Sequence, residues 1–245
     1  MRVVLFLVFL WPATVFADCV VLLHGLARSE TSLLLMQDVL RARGYDTVVP
    51  GYPSTQARVE TLVAQTLPGA IETCGAQTVH FVTHSMGGIL VRYWLQDHRP
   101  VAMGRVVMLG PPNQGSQLVD RLDDWAVFGL LNGPAGAQLG TGENSLPKAL
   151  PAVDYPVGVV AGTQSLNAFF SALIDGPDDG KVGVSETRVD GMTAHLELPV
   201  THTFMMNNPH VIAQSIRFLE TGQFDVNLTW GGALTDLIEG EDKLR

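Results

Sequence analysis

Charge is scarce in this 245-residue sequence. Only 16% of its residues are Asp, Glu, Lys or Arg, and 24 acidic side chains stand against 15 basic ones. That balance offers no footprint for nucleic acid or for an anionic membrane surface. Internal repeats and disordered, low-complexity stretches are missing too. The apolar stretch Val3 to Phe16 is too short to favour a membrane-spanning helix. Cysteine is limited to Cys19 and Cys74. What remains is 47% hydrophobic, which suits one well-buried globular domain.

The start of the chain reads as an address. Met1-Arg2 gives a short positive beginning, the apolar stretch follows, and Val15-Phe16-Ala17 places small residues at the positions a signal peptidase uses. Residues 1–17 are therefore expected to be a cleaved signal peptide, with an uncleaved anchor as the alternative, and residues 18–245 a single domain. Removing Arg2 from the 15 basic residues leaves 14 against 24 acidic, a mature balance of −10. Asp18 precedes Cys19, so the small residue expected before a lipid-modified cysteine is missing. The expected location is secreted or periplasmic, an oxidising setting for the two thiols.

Strand and helix patterns then alternate. Val20 to Leu23 is a continuous apolar run, as in a strand buried on both faces. A helix carries Leu33, Leu34, Met36, Val39 and Leu40 at helical spacing, capped by Ser29 or Thr31 and stopped by Gly44. Tyr45 to Val49 is a short strand, and a second helix begins near Gln56, with Pro68 ending or kinking it. Such alternation implies a parallel sheet covered on both sides. Further strands are expected at Arg105 to Leu109, Pro156 to Gly162 and Ala194 to Val200. Asn208 and Pro209 open a closing helix that Gly222 ends, and the tail from Phe224 is polar and hard to place.

The most informative stretch is Val79-His80-Phe81-Val82-Thr83-His84-Ser85-Met86-Gly87-Gly88. β-Formers stop at a serine, small residues follow, and a helix pattern begins, so Ser85 occupies a strand-to-helix turn that pushes its hydroxyl out of the sheet. These residues resemble the nucleophile elbow of the α/β-hydrolase superfamily, especially compact bacterial lipases and esterases with a His-Ser-Met-Gly-Gly core. Thr83 departs from the Gly or Ala usual there. The resemblance extends to Gly110-Pro-Pro-Asn-Gln-Gly-Ser116, similar to a lipase loop, and to His24-Gly25-Leu26, similar to the oxyanion loop. It implies a minimal α/β fold, a doubly wound and mostly parallel sheet of about six strands with helices on both faces. Leu26 and Met86 would supply the backbone N–H groups of the oxyanion hole. Insertions between about residues 116 and 150 would form a lid or acyl-binding cap, with a helix from Asp120 to Leu131; a satellite core is the alternative. In the resembled fold the strands after Cys19 and Cys74 are neighbours, so a Cys19–Cys74 disulfide is implied, with two buried free thiols as the alternative.

A serine needs a base, and an imidazole serves near neutral pH. Only His195, His202 and His210 follow the acidic loop at Asp175 to Val182. His195 falls inside a strand and His210 inside a helix, whereas His202 occupies the loop after the last strand and matches the lipases' terminal histidine. Asp179-Gly180-Lys181-Val182 resembles the Asp-Gly-x-Val sequence carrying the lipases' acid, with Asp178 as its immediate rival. The expectation is a carboxylic ester hydrolase using Ser85, His202 and Asp179, needing no cofactor and no metal, acting on a small-molecule or lipid ester and touching lipid interfaces transiently. Thioesterase, amidase or acyltransferase chemistry with the same residues, or an inactive binding protein, are the rivals.

Overall fold

The computed structural model describes residues 17–122 and 132–242. The signal sequence, apart from Ala17, and most of the expected Asp120–Leu131 helix lie outside these residues.

Six strands form one sheet: β1 (Cys19–Leu23), β2 (Asp46–Val48), β3 (Val79–His84), β4 (Met103–Leu109), β5 (Val157–Gly162) and β6 (Ala194–Leu198). Their spatial order is β2-β1-β3-β4-β5-β6, and every neighbouring pair is parallel. Alternate residues of the apolar strands feed two separate cores. Cys19, Val21 and Leu23 of β1 and Phe81 of β3 face one side, against α2 (Val59–Cys74) and α3 (Met86–Leu95). Val20 and Leu22 of β1 and Val82 of β3 face the other, against α1 (Leu34–Ala42) and the closing helix described below. Burial on both faces explains why these strands read as continuous apolar runs rather than alternating ones.

The winding fixes where a site can form. From β1 the chain steps outward to β2, then crosses back to β3 and continues to β6. The direction of winding reverses between β1 and β3, so the loops leaving the carboxyl ends of these two adjacent strands diverge and leave a crevice. Those loops hold Leu26 and Ser85 respectively.

Several boundaries differ from expectation. Ser29 caps with backbone geometry alone, its hydroxyl bonded to Thr31, and a one-turn 3-10 piece at Glu30–Leu33 precedes α1. Pro68 lies inside α2 without ending it. Its ring sits on the solvent face, where the carbonyl of exposed Ala64 can bond water, while Leu67 and Ala70 hold the inner face. After α4 (Gln117–Leu122), the closing helix α5 (Pro209–Thr221) follows the sequence reading: the Asn208 side chain accepts from His210 N, and Gly222 ends the helix with φ +78°. The tail forms helix α6 (Trp230–Asp242), which packs on α5 through Ala233 and Leu237. Three glycines and a weakly amphipathic pattern conceal it from periodicity.

At the edge opposite the crevice, Cys19 and Cys74 are joined by a disulfide, with Cα atoms 5.7 Å apart. Cys74 is the last residue of α2 rather than a residue leading directly into a strand, and Gly75 then turns the chain toward β3.

Candidate active site

Ser85 ends β3 and begins α3 with φ +54° and ψ −124°, a conformation that side-chain-bearing residues rarely adopt. Its backbone N–H donates to Leu109 O on β4 at 2.8 Å, and its carbonyl accepts from Gly88 N at 3.0 Å. Both partners pin the turn. A side chain at Gly87 would put Cβ 2.6 Å from Leu23 O, so α3 can start this close to β1 only with glycine there. Thr83, the departure from the usual pattern, is fully buried beneath the turn. A Cβ at position 88 would lie 3.3 Å from the Thr83 hydroxyl, so the missing side chain of Gly88 makes room for the branched one of Thr83.

The loop after β1 presses against the serine. A Cβ added to Gly25 would be 3.0 Å from Ser85 Cβ and 2.9 Å from His84 Nδ1. The next residue, Leu26, and Ser85 line the same cavity. His24 is buried, stacked on Tyr52 with ring centroids 3.8 Å apart, and the Tyr52 hydroxyl donates to His24 O. Burial lowers its pKa and so favours the neutral ring. His24 therefore shapes the loop.

Asp179 and His202 meet across the carboxyl ends of β5 and β6. His202 Nδ1 donates to Asp179 Oδ2 at 2.7 Å, both side chains being buried. The second carboxylate oxygen accepts from Lys181 N at 3.0 Å and Val182 N at 2.8 Å. His202 N also donates to Asp179 O at 2.9 Å. Bonded at Nδ1, the ring has Nε2 as its free nitrogen, and His202 lines the cavity that holds Ser85. The rival acid is engaged elsewhere: Asp178 Oδ1 accepts from the Ser171 hydroxyl and from Gly180 N. His195, on β6 and away from the cavity, bonds the Thr187 hydroxyl, and His210 sits in the first turn of α5.

Solved structures with this architecture include Bacillus licheniformis lipase BlEst2 in its mature form, at 20% identity and TM-score 0.63, covering 86% of this chain and 94% of that one. The metagenomic carboxyl esterase MGS0156 matches at 15% identity and TM-score 0.61, over 95% of this chain and 77% of its own. Aspergillus fumigatus lipase B matches at 14% identity and TM-score 0.64, over 94% and 61% respectively. The chain has the α/β-hydrolase fold. It spans 52% of the propeptide form of BlEst2 and less than two thirds of the Aspergillus enzyme. No family's sequence profile matches the chain, and no curated protein matches it.

Within the α/β-hydrolase fold, sequence reasoning missed three supports of the site. His84, fully buried, donates from Nε2 to His202 O at 3.0 Å and lays its ring 4.7 Å from the His202 ring. Burial first, and then the positive potential of His202 and Arg28, hold its pKa well below the usual histidine value. Gly110 was read only as part of a loop motif. Its φ is +54°, and a Cβ there would lie 2.9 Å from Asp179 Oδ2 and 3.1 Å from His202 Nδ1, so the acid–imidazole pair rests on bare backbone. Arg92 of α3 is buried and donates to the carbonyls of Asn113, Leu150 and Pro151, tying the loop after β4 to the helix behind the serine. None of the three carries a local pattern, because each acts through partners distant in sequence.

The cavity measures about 360 Å³. Leu26, Leu118, Val119, Leu139, Phe170 and Val182 give it apolar walls. The segment expected to form a cap supplies three of these. It is tied down where the Ser116 hydroxyl donates to Lys181 O and where Gln138 accepts from Val59 N at the start of α2. Among the described residues no group of three or more His, Cys, Asp or Glu side chains is arranged to hold a metal ion.

Proposed function

We propose that this protein is a serine hydrolase of carboxylic esters, with Ser85 as nucleophile, His202 as general base and Asp179 as the acid that orients it. The observation that carries the reading is the 2.7 Å bond from His202 to Asp179 at the wall of the cavity that also holds Ser85. Ser85 Oγ attacks the ester carbonyl while His202 Nε2 takes its proton. The negative charge that develops on the carbonyl oxygen meets the N–H groups of Leu26 and Met86. The C–O bond then breaks, His202 returns the proton to the departing alcohol, and an acyl group remains on Ser85. Water, activated by the same imidazole, releases the acid and restores the serine. Apolar walls suit the acyl chain, so medium and longer chains are favoured over acetate, and the segment at about 116–150 acts as its cap. The disulfide accords with an exported protein, residues 1–17 being removed as a signal peptide and 18–245 acting as one domain.

A fluorophosphonate probe tests the reading. Native protein labels at Ser85, and Ser85→Ala abolishes both labelling and the hydrolysis of p-nitrophenyl esters. Folded protein that neither labels nor cleaves any ester of the series from acetate to palmitate contradicts it.

A further inference from the structure

The cavity beside Ser85 holds two side chains that ester hydrolysis does not use: Arg28, on the loop after Leu26, and Lys181, two residues after Asp179. Apart from histidines they are the cavity's ionisable lining groups, and both are basic in a chain whose net charge is −9. Neither forms an ion pair with a carboxylate among the described residues. Arg28 is half-buried and aimed by a bond from Nη2 to Thr203 O at 2.9 Å, which among the described residues leaves most of its N–H donors available. Lys181 has its backbone fixed on both sides: its N–H donates to Asp179 and its carbonyl accepts from Ser116, while its exposed ammonium has no carboxylate partner among the described residues. The neighbouring acid, Asp179, is committed to His202 and to two backbone N–H groups.

Two like charges lining one largely apolar cavity repel each other, Arg28 half-buried and Lys181 exposed to solvent, and an anion between them would relieve that repulsion. Desolvation, and then the field of Arg28, already push the Lys181 ammonium toward its neutral form. The acyl chain is apolar and has its own walls. A charged part of the substrate is what this pair fits, and a guanidinium beside an ammonium matches the several oxygens of a phosphate or the two of a carboxylate.

We propose that Arg28 and Lys181 form a subsite for an anionic oxygen group, a phosphate or a carboxylate, carried by the ester substrate next to its scissile bond. This rests on the ester-hydrolase reading above and narrows it to acyl esters of anionic alcohols. Local positive charge in the cleft then favours the anionic substrate against the field of a chain whose net charge is −9.

Three hexanoyl esters test it, with released hexanoate as the readout: hexanoyl glycerol (neutral), hexanoyl glycolate (carboxylate) and hexanoyl glycerol phosphate. At low salt the anionic esters are expected to exceed the neutral one in kcat/KM by about tenfold or more, a preference that shrinks as salt rises. The better of the two identifies the anion. The ratio of anionic to neutral kcat/KM falls about tenfold in Lys181→Gln and inverts in Lys181→Glu. Arg28→Gln lowers it as well, but also frees Thr203, so Lys181 is the deciding position. A second measurement is independent of turnover: calorimetric titration of the Ser85→Ala protein with hexanoyl glycerol phosphate, where Lys181→Gln weakens binding about tenfold. Equal turnover of all three esters, or a ratio that Lys181→Gln leaves unchanged, overturns the subsite and leaves the hydrolase standing. Charge-dependent binding without cleavage of any ester does the reverse: it keeps the anion site and ends the hydrolase reading.

Discussion

Strand β3 is entered and left through nearly the same backbone conformation. Gly75, one residue past α2 at the disulfide edge, has φ +62° and ψ −126°; Ser85, at the crevice edge, has φ +54° and ψ −124°. At the first position the chain uses glycine, for which this region carries no steric penalty. At the second it uses a residue with a side chain, at a cost of about 1–3 kcal/mol. Nothing lies within 4 Å of a Cβ built on Gly75, so packing does not dictate its glycine; backbone conformation does. The strain at Ser85 thus falls at the one end of the strand where the proposed reaction needs a hydroxyl, and is pinned there by Leu109 O and the close packing of Gly87 on β1. The disulfide edge holds the fold, and the crevice edge carries the groups the proposed reaction uses.

The largest effects expected from this contrast concern activity at the crevice edge. Asp179→Asn lowers kcat for a p-nitrophenyl ester by about 10⁴-fold, because the amide supports the wrong imidazole tautomer. Asp178→Asn, one residue away, keeps activity within about tenfold, since that carboxylate serves Ser171 and Gly180 N. Equal losses in the two would dissolve the distinction between them. At the opposite edge, replacing both cysteines by serine costs about 2–4 kcal/mol in urea unfolding and leaves kcat per folded molecule near that of the native protein. Loss of turnover in protein that remains fully folded would mean that the disulfide edge shapes the site after all.

Exchanging residues between the two turns sharpens the comparison. Ser85→Gly relieves the backbone and raises stability by about 1 kcal/mol while ending catalysis, and Gly75→Ser lowers stability by about 1–3 kcal/mol without touching catalysis. Thermal melts of both variants check the signs; a Ser85→Gly protein less stable than native would show that the elbow is not strained.

A smaller effect follows from protonation. Burial lowers the pKa of His24 and His84 at the crevice and of His80 near the disulfide. A histidine with a depressed folded pKa binds protons more readily when unfolded, so its contribution is complete above about pH 6.5 and is lost as pH falls through that window toward the folded value. Glu186, whose pKa burial raises, works in the opposite sense but only in the carboxylate range. The urea midpoint should therefore drop between pH 7.5 and pH 5.5. His84→Gln removes part of that slope, and a midpoint flat across the interval contradicts the neutral, buried assignment.

What could be read from the sequence tracks how local each cause is. Ser85 announced itself because a run of β-formers, a serine and two glycines are contiguous. Asn208, Pro209 and Gly222 marked α5 because caps act within a few residues. His202 stood apart from His195 and His210 by its place in the loop after the last strand, whereas Asp179 needed the resemblance to a known motif, since nothing in its own neighbourhood distinguishes it from Asp178. The roles of His84, Gly110 and Arg92 were not legible, because the atoms they meet are separated by 118, 69 and 58 residues at the long contacts. Helix α6 escaped because it buries little and begins near two glycines, so its pairing with α5 overrides a weak local pattern.

The central claim is that Ser85, His202 and Asp179 work as one unit, and non-additivity measures that most directly. Residual kcat/KM is determined for Ser85→Ala, His202→Ala and the double variant on one p-nitrophenyl ester. If the three side chains form a single machine, the double variant is no slower than Ser85→Ala alone, because removing the base costs nothing once the nucleophile is gone. Losses that multiply, with the double variant slower by the product of the two single effects, would mean that the serine and the histidine act independently.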